Sequence, residues 1–340
     1  MDSIRTFYDR HRKVINLVLL LAVAVIMIVL PRFIRKAVYM RHICNIILYA
    51  VLAGSLNVIN GYSGQICMGQ AGFFAIGAYT CAIMSAKYGV NFWFALPAAG
   101  LMAMLVGFLV SLPTLRMRGI YLSFVTLGFS EIIRIIALTW EPVTGGNFGI
   151  KGIPYPFFFG KELFKPADYY YVLLGILVVF LFCTKRVLDS RVGRAWISIR
   201  EEQNAARSLG VETSRFKSMN FMYSAFWAGI IGAAYAPYIG FVDSTQFSLN
   251  TGFNVLAMVV IGGQGTLVGP IVGSVVVTVL TEALRVLEYW RFVIYAVLII
   301  AMMWLRPQGI AGASNSILAG GRIRRKDSDG RAQAEAVGSK

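Results

Sequence analysis

Residues 92–112 read FWFALPAAGLMAMLVGFLVSL, an apolar run of 21 residues without a single charge. As an α-helix this run would be about 32 Å long, since each residue adds about 1.5 Å. The hydrocarbon core of a bilayer is about 30 Å thick. The stretch therefore predicts a membrane-spanning helix, and it decides the class of fold.

The same pattern recurs along the chain. Of 340 residues, 57% are hydrophobic and 14% charged, and the mean hydropathy is +0.67, whereas soluble domains carry about 25% charged residues. Further apolar runs lie at 14–30, 38–59, 119–139, 169–184, 218–240 and 289–305. We expect an all-α polytopic integral membrane protein with about eight to ten membrane helices. Residues 1–310 would form the membrane domain, and 311–340 a basic, disordered tail.

The charges predict how the chain is oriented. Lys and Arg number 32 against 16 Asp and Glu, a net charge of +16. Basic residues concentrate in 185–217 and 306–340, which predicts cytoplasmic segments and cytoplasmic termini, whereas 140–168 and 241–252 lack this excess and are expected outside. Arg32, Arg35 and Lys36 disagree with that assignment. No basic face on a compact fold is predicted, so nucleic acid is not an expected partner.

Two apolar stretches, 61–86 and 253–282, are interrupted by glycines. If 241–252 is outside and the tail inside, the span 289–305 must cross from outside to inside, so 253–282 must start and finish outside. It would then form two short helices that meet at Gly262-Gly263-Gln264-Gly265. Non-helical backbone at membrane depth is tolerated where it is buried in protein or lines a wet cavity, and paired interruptions are typical of a midplane transport site. The predicted translocation path comprises Gly64, Gln65, Gly69, Gln70, Gly72, Gly263, Gln264, Gly265 and Gly269, with the three glutamine amides buried.

Close helix packing is the alternative explanation for these glycines. The spacing Gly265-x-x-x-Gly269-x-x-x-Gly273 is typical of a seam between two membrane helices. Both readings stay open at the level of sequence.

Ionisable residues inside spans are few. Glu131 and Arg134 are three residues apart and predict an intramembrane ion pair on one helix face. Glu282 with Arg285, and Glu288 with Arg291, have the same spacing near a membrane boundary. The four cysteines are scattered singly and only two histidines occur, so neither a disulfide framework nor a metal site is expected.

The basic segment 185–217 predicts an amphipathic cytoplasmic helix over 190–209. Asp189-Ser190 is an N-cap signal, Gly210 is a stop signal, and apolar residues recur at helical spacing between them: Val192, Ala195, Trp196, Ile199, Ala206 and Leu209. Its other side mixes charges of both signs, whereas helices that lie on lipid are usually rich in Lys and Arg. Docking into a groove of a soluble partner explains this pattern at least as well.

The stretch 200–210, REEQNAARSLG, resembles the E-A-A-x-x-x-G coupling signature of ABC importer permeases, with Asn204 in place of the Glu. The resemblance extends in order over about 45–310 and is to the permease subunits of branched-chain amino acid importers. It is carried by Leu56-Asn57 to Gly77-Ala78-Tyr79, and by 115–121, 126–129, 144–150, 261–273 and 306–309. It implies that the segment docking on the ATPase includes Arg200, Glu201, Glu202, Asn204, Ala205, Ala206 and Gly210.

The resemblance further implies a complex with two ABC ATPase subunits, a second related permease and a periplasmic substrate-binding protein, in a bacterial inner membrane. The expected cargo is leucine, isoleucine and valine; relatives of similar sequence move urea or short amides. The chain has no G-x-x-x-x-G-K-[ST] phosphate loop. ATP and Mg²⁺ are thus expected on the partner ATPases, with no catalytic residue and no cofactor in this chain.

Two other function classes make different predictions. An ion-coupled secondary carrier needs intramembrane carboxylates or histidines along a pathway, and Glu131 is the one good candidate. A membrane enzyme acting on lipids needs clustered His, Asp, Glu or Ser at one face, and the outside loops offer only Glu141, Glu162, Asp168 and Asp243, widely spaced.

Overall fold

The computed structural model describes residues 31, 36–115, 117, 119–158, 161–284, 294, 297, 304 and 309–312. The predicted span 14–30, most of 289–305, Arg285, the pair Glu288 and Arg291, and residues 313–340 of the predicted tail lie outside the described residues.

The described residues are mainly helical. In chain order the helices are α1 (Ala37–Asn57), α2 (Gln70–Ala82), α3 (Phe92–Thr114), α4 (Ile120–Thr139), α5 (Glu141–Thr144), α6 (Pro166–Leu188), α7 (Arg191–Glu201), α8 (Gln203–Ser208), α9 (Thr213–Ile239), α10 (Leu249–Gly262) and α11 (Gly269–Ala283). One π-helical turn extends α1 through Val58–Tyr62, and another extends α2 through Ile83–Lys87. Among the described residues, four helices are long and apolar enough to cross a membrane: Ala37–Tyr62, Phe92–Thr114, Ile120–Thr139 and Pro166–Leu188.

Helix α9 is the centre of the bundle and packs against α1, α2 and α3. It carries buried polar residues because its neighbours are helices rather than lipid: Asn220 Nδ2 donates to Val58 O at 3.1 Å, and Ser224 Oγ donates to Ser55 O at 2.7 Å. A Cβ on Gly77 would lie 2.1 Å from Gly229 O. Glycine at both positions therefore lets α2 and α9 cross at backbone contact.

One end of the bundle, here the Asp243 end, joins the two loops predicted to lie outside. Strand β1 (Ile150–Lys151) pairs antiparallel with β4 (Phe241–Val242), and β2 (Phe157–Phe158) pairs with β3 (Lys161–Glu162). Lys87 Nζ donates to the carbonyl oxygens of Pro142 and Val143, at 2.8 and 2.7 Å. The loops 140–168 and 241–252 thus lie on the same side, as the charge pattern predicts.

The opposite end, here the Arg200 end, holds the connector 63–69, the segment 189–212 and the turn 263–268. Helices α10 and α11 have 14 and 15 residues, each about 21–23 Å long, and form a hairpin with its tip at this end. Its base lies at the Asp243 end, where Glu282 Oε2 is 3.8 Å from His42 Nδ1 near the start of α1. The segment 253–282 therefore starts and finishes on the same side of the bundle, as predicted from the sequence.

The interruption predicted in 61–86 is the non-helical connector 63–69, which joins the end of α1 to the start of α2. Helix α2 with its π-helical turn covers 70–87, about 27 Å. Both glycine-rich interruptions consequently lie together at the Arg200 end rather than at mid-depth.

Candidate coupling segment and pathway residues

Helix α7 begins as its sequence predicts. Ser190 Oγ accepts a hydrogen bond from Val192 N at 3.1 Å, which caps one of the unpaired amides of the first turn. Trp196 is 1% exposed, and its Nε1 donates to Phe216 O at 2.9 Å. With Ala195 and Ile199, also buried, Trp196 fixes the apolar face of α7 to the bundle.

The single helix predicted over 190–209 is two helices. Glu202, at φ −156° and ψ 111°, is extended backbone between α7 and α8, and its Oε1 accepts from Asn204 N at 3.2 Å. The new direction lets Ala206, 3% exposed, reach the bundle. Leu209 is 85% exposed, so its place in the predicted apolar stripe is wrong. Gly210 at φ +84° ends the segment, as predicted.

Most of the residues predicted to contact an ATPase are on the surface. Ala206 is buried and holds α8 against the bundle, while the other predicted residues are exposed: Arg200, Glu201, Glu202, Asn204, Ala205 and Gly210. Beside them lies a cleft of about 780 Å³ lined in part by Leu115, Gln203 and Arg207. The segment thus has one face bound to its own bundle and one face open to a partner.

Arg200 joins this segment to both interruptions. Its Nη1 donates to Gly61 O at 2.6 Å. A Cβ on Gly64 would lie 3.0 Å from Arg200 Cγ, and one on Gly265 would lie 2.6 Å from Arg200 Nη1. Gly64 and Gly265 also have φ angles of +67° and +73°, which favour glycine. Two of the predicted path glycines therefore contact the predicted coupling segment.

The hairpin tip is attached to α1 through Asn57. Its Nδ2 donates to Thr266 O at 2.8 Å, and its Oδ1 accepts from Gly265 N at 2.9 Å. Thr266 Oγ1 accepts from Gly269 N and donates to Gly263 O, both at 2.9 Å. The sequence did not predict that Asn57, Gly61 and Thr266 join the hairpin tip to α1. The one signal for this contact was an asparagine near the end of a long apolar run.

The short segment 309–312 closes the same junction. Ile310 N donates to Ile261 O at 3.0 Å and Ala311 N to Gly262 O at 2.9 Å. These carbonyls belong to the last turn of α10, where carbonyl oxygens have no hydrogen-bond partner within the helix. A Cβ on Gly309 would lie 2.4 Å from Gly263 Cα, so the contact needs glycine there.

The first connector is tightly packed. Gln65 Nε2 donates to Ser63 Oγ at 2.5 Å, and Cys67 N donates to Asn60 Oδ1 at 3.0 Å. Burial raises the pKa of the Cys67 thiol to about 11, which keeps it protonated and unreactive. A Cβ on Gly69 would lie 2.7 Å from Thr126 O.

At the start of α2, a Cβ on Gly72 would lie 3.0 Å from Ser130 Cα, so α2 and α4 approach closely there. Gln70 belongs to a buried polar cluster at the crossing of α1, α2 and α9. It is 1% exposed, and its Nε2 donates to Ser55 Oγ at 2.5 Å and to Ser224 Oγ at 3.3 Å. Gln65 is buried like Gln70, but Gln264 is exposed at the hairpin tip, so the expectation of a third buried amide is wrong.

The remaining path glycines, Gly263 and Gly269, make packing contacts, as do their neighbours Gly262 and Gly273. A Cβ on Gly262 would lie 1.9 Å from Gly269 O, and one on Gly273 would lie 1.8 Å from Met258 O. Gly263 has φ +117° and contacts Gly309. Close packing of α10 on α11 thus accounts for the seam, and the role of these residues in a pathway stays a prediction.

Glu131 and Arg134 lie on α4 and contact each other. Arg134 Nε donates to Glu131 Oε1 at 2.8 Å, and Arg134 Nη2 donates to the same oxygen. The side chains are 29% and 26% exposed. Inserting a charged side chain near the centre of a membrane span costs about 2.5–3.5 kcal/mol. The ion pair between Glu131 and Arg134 offsets part of this insertion cost.

In the described part of the chain no group of three or more His, Cys, Asp or Glu side chains could hold a metal ion. Cys44, Cys67, Cys81 and Cys183 are free thiols, three of them buried. Within the described residues the thiols are thus dispersed, whereas contacts between distant helical segments converge at Arg200.

The hairpin, Gly61 and Arg200 lie inside a stretch with known relatives. Residues 39–302 match the family described as branched-chain amino acid transport system, permease component. The chain belongs to this family. The high-affinity branched-chain amino acid transport system permease protein LivM of Escherichia coli (strain K12) is 40% identical over 286 residues, covering 77% of this chain and 67% of that protein.

More distant relatives of this permease include proteins with another named cargo. A probable branched-chain amino acid transport permease protein LivM of Methanocaldococcus jannaschii is 21% identical over 311 residues, 77% of this chain and 90% of that one. The autoinducer 2 import system permease protein LsrC of Enterobacter sp. (strain 638) is 28% identical over 239 residues, 66% and 67% of the two chains. No solved structure matches significantly.

Family and fold agree on the class of protein. This permease is a polytopic, all-α membrane subunit of an ABC-type transport system.

Proposed function

We propose that this permease carries leucine, isoleucine and valine across a bacterial inner membrane, as one of two related permease subunits in an ABC importer. The 40% identity to the E. coli LivM protein supports this cargo. Two ATPase subunits would bind ATP and Mg²⁺ and supply the energy, and a periplasmic binding protein would deliver the amino acid.

The observation that carries the proposal is the hydrogen bond from Arg200 to Gly61 O, together with the two-faced segment 189–212. One face of α7 and α8 is fixed to the bundle by Trp196 and Ala206, and the other is exposed. A segment of this kind transmits movement of a bound partner to the helices that it contacts. Arg200 places that force on α1 and, through Asn57, on the hairpin.

The orientation follows from charge. Residues 185–217 carry eight basic and four acidic side chains, so the Arg200 end is the cytoplasmic end. The Asp243 end then faces the binding protein, and both described interruptions face the ATPases. In this orientation Lys36, at the start of α1, lies on the periplasmic side, and Arg32 and Arg35 belong to the part of the chain outside the described residues.

The test is uptake by the complete importer in a strain lacking its own branched-chain amino acid systems. We expect ATP-dependent uptake of labelled leucine, isoleucine and valine, and none of urea or acetamide. Uptake of urea or acetamide alone would overturn the cargo. Leucine uptake that survives ATP depletion and collapses with a protonophore would overturn the ATP-driven mechanism and favour a secondary carrier.

A further inference from the structure

One face of α4 is left open in this chain. Gly128, Glu131, Ile132 and Ile135 recur three or four residues apart, so they share a helix face. Ile132 is 58% and Ile135 45% exposed. A Cβ on Gly128 would have no described atom within 4 Å. The face combines a small residue, an ion pair and two aliphatic side chains.

The ion pair on this face has unused hydrogen-bonding capacity. Both hydrogen bonds from Arg134 go to Oε1 of Glu131. Within the described residues, Glu131 Oε2 and Arg134 Nη1 make no hydrogen bond. A carboxylate has two acceptor oxygens and a guanidinium five donor hydrogens, so the pair can bind a further acceptor and a further donor at once.

The depth of the pair argues against a lipid-facing surface. Glu131 is the twelfth residue of α4, which has 20 residues, so it lies about 17 Å from the start of the helix. Charged side chains at such depth face a bundle interior or a water-filled cavity. Here they lie on the open face of α4, which therefore lines a polar space.

We infer that this face of α4 binds the zwitterionic head group of the transported amino acid. Arg134 Nη1 donates to the carboxylate of the substrate, and Glu131 Oε2 accepts from its ammonium group. Ile132 and Ile135 contact the branched aliphatic side chain. Charge-assisted hydrogen bonds to both groups compensate the two substrate charges inside the membrane. Uncharged urea and amides would need no such ion pair.

This inference rests on the proposed function, because it presumes an amino-acid cargo. The first experiment uses the complete importer in proteoliposomes, with loaded binding protein and labelled leucine. Glu131→Gln and Arg134→Gln are compared with the double exchange Glu131→Arg with Arg134→Glu, which keeps an ion pair but reverses its direction. We expect all three to lower leucine uptake at least tenfold while the ATPase subunits stay bound.

The double exchange separates recognition from a structural role. An ion pair that only stabilises α4 would be rescued by the exchange, so wild-type uptake by that variant would overturn the inference. A binding site would not be rescued, because the substrate enters with its carboxylate and ammonium in a fixed order. Direct binding of [³H]leucine to the permease–ATPase complex in nanodiscs should fall in parallel.

A second experiment avoids changing the charges. Gly128→Leu places a side chain into the open space next to Glu131, and Gly175→Leu on α6 is the matched control, since Gly175 also has no described atom within 4 Å of a Cβ. We expect Gly128→Leu to lower uptake at least tenfold with the complex assembled, and Gly175→Leu to leave uptake unchanged.

The outcomes are distinguishable. Normal uptake by Gly128→Leu would show that α4 faces lipid and would overturn the inference. Loss of the second permease subunit from the purified Gly128→Leu complex would assign the face to a subunit interface and would also overturn it. If the wild-type importer moved urea or acetamide but no leucine, the proposed function itself would fail.

Discussion

Arg200 and Gly61 are separated by 139 residues in sequence, yet Arg200 Nη1 donates a 2.6 Å hydrogen bond to Gly61 O. The guanidinium comes from the segment that the family resemblance assigns to ATPase docking, and the carbonyl from the last turn of the first described membrane helix. The same guanidinium lies against Gly265 of the hairpin tip. Three segments that would move relative to one another thus meet at a single side chain.

Arg200→Ala should uncouple the importer. The variant loses one charge-assisted hydrogen bond, worth about 1.5–3 kcal/mol when fully formed and less here because the residue is exposed. We expect leucine uptake to fall at least tenfold while the ATPases copurify with the permease. Arg194→Ala is the control, since that exposed guanidinium donates to Asp189 O within its own segment; equal loss by both variants would contradict a special role for Arg200.

Gly265→Ala should destabilise the hairpin tip. The substitution forces a side chain into φ +73° and within 2.6 Å of Arg200 Nη1. Gly89→Ala at φ +64°, with no described atom within 4 Å, has only the backbone strain, about 1–2 kcal/mol. Melting in detergent should therefore show a larger drop for Gly265→Ala than for Gly89→Ala, and equal drops would mean that the contact is soft.

Thr266→Val should lower the stability of the permease more than the similar size of the two side chains suggests. The side chain is 4% exposed and its hydroxyl pairs both Gly269 N and Gly263 O. Valine has a similar shape but leaves these two buried groups without this partner, at about 1–3 kcal/mol each. We expect a lower melting temperature for Thr266→Val and a melting temperature near wild type for Thr266→Ser. A stable valine variant would show that the tip reorganises.

Two truncations should differ sharply. A stop after residue 312 retains the amides of Ile310 and Ala311 that cap α10, whereas a stop after residue 308 removes them. We expect the longer form to insert, melt and transport like the full chain. The shorter form should melt at a lower temperature and lose uptake. Loss of function in the longer form would give the predicted tail a role beyond solvation.

Much of the architecture was predictable because it depends on local quantities. The length of the apolar runs predicted α1, α3, α4, α6 and α9 to within a few residues at most of their ends. Parity and charge placed 140–168 and 241–252 on one side, and the strand pair at Ile150 and Val242 joins them. Ser190 and Gly210 delimit the coupling segment as their capping chemistry predicts.

The break at Glu202 was not predictable from local preference. The stretch from Arg200 to Ala206 consists largely of good helix formers, which favours one continuous helix. The extended conformation of Glu202 appears where Trp196 and Ala206 must both reach the bundle. Burial of two apolar contacts on one surface outweighs the small propensity gain of continuing the helix.

By itself, the sequence determined that this is a membrane protein, where its helices lie and which loops share a side, because bilayer thickness and charge act on consecutive residues. Only the tertiary structure decided that Gly61, Arg200, Gly265 and Gly309 form one junction and that α4 keeps an open face with Glu131 and Arg134 on it. Contacts between segments far apart in the chain depend on how whole helices pack, and no local pattern of residues encodes that packing.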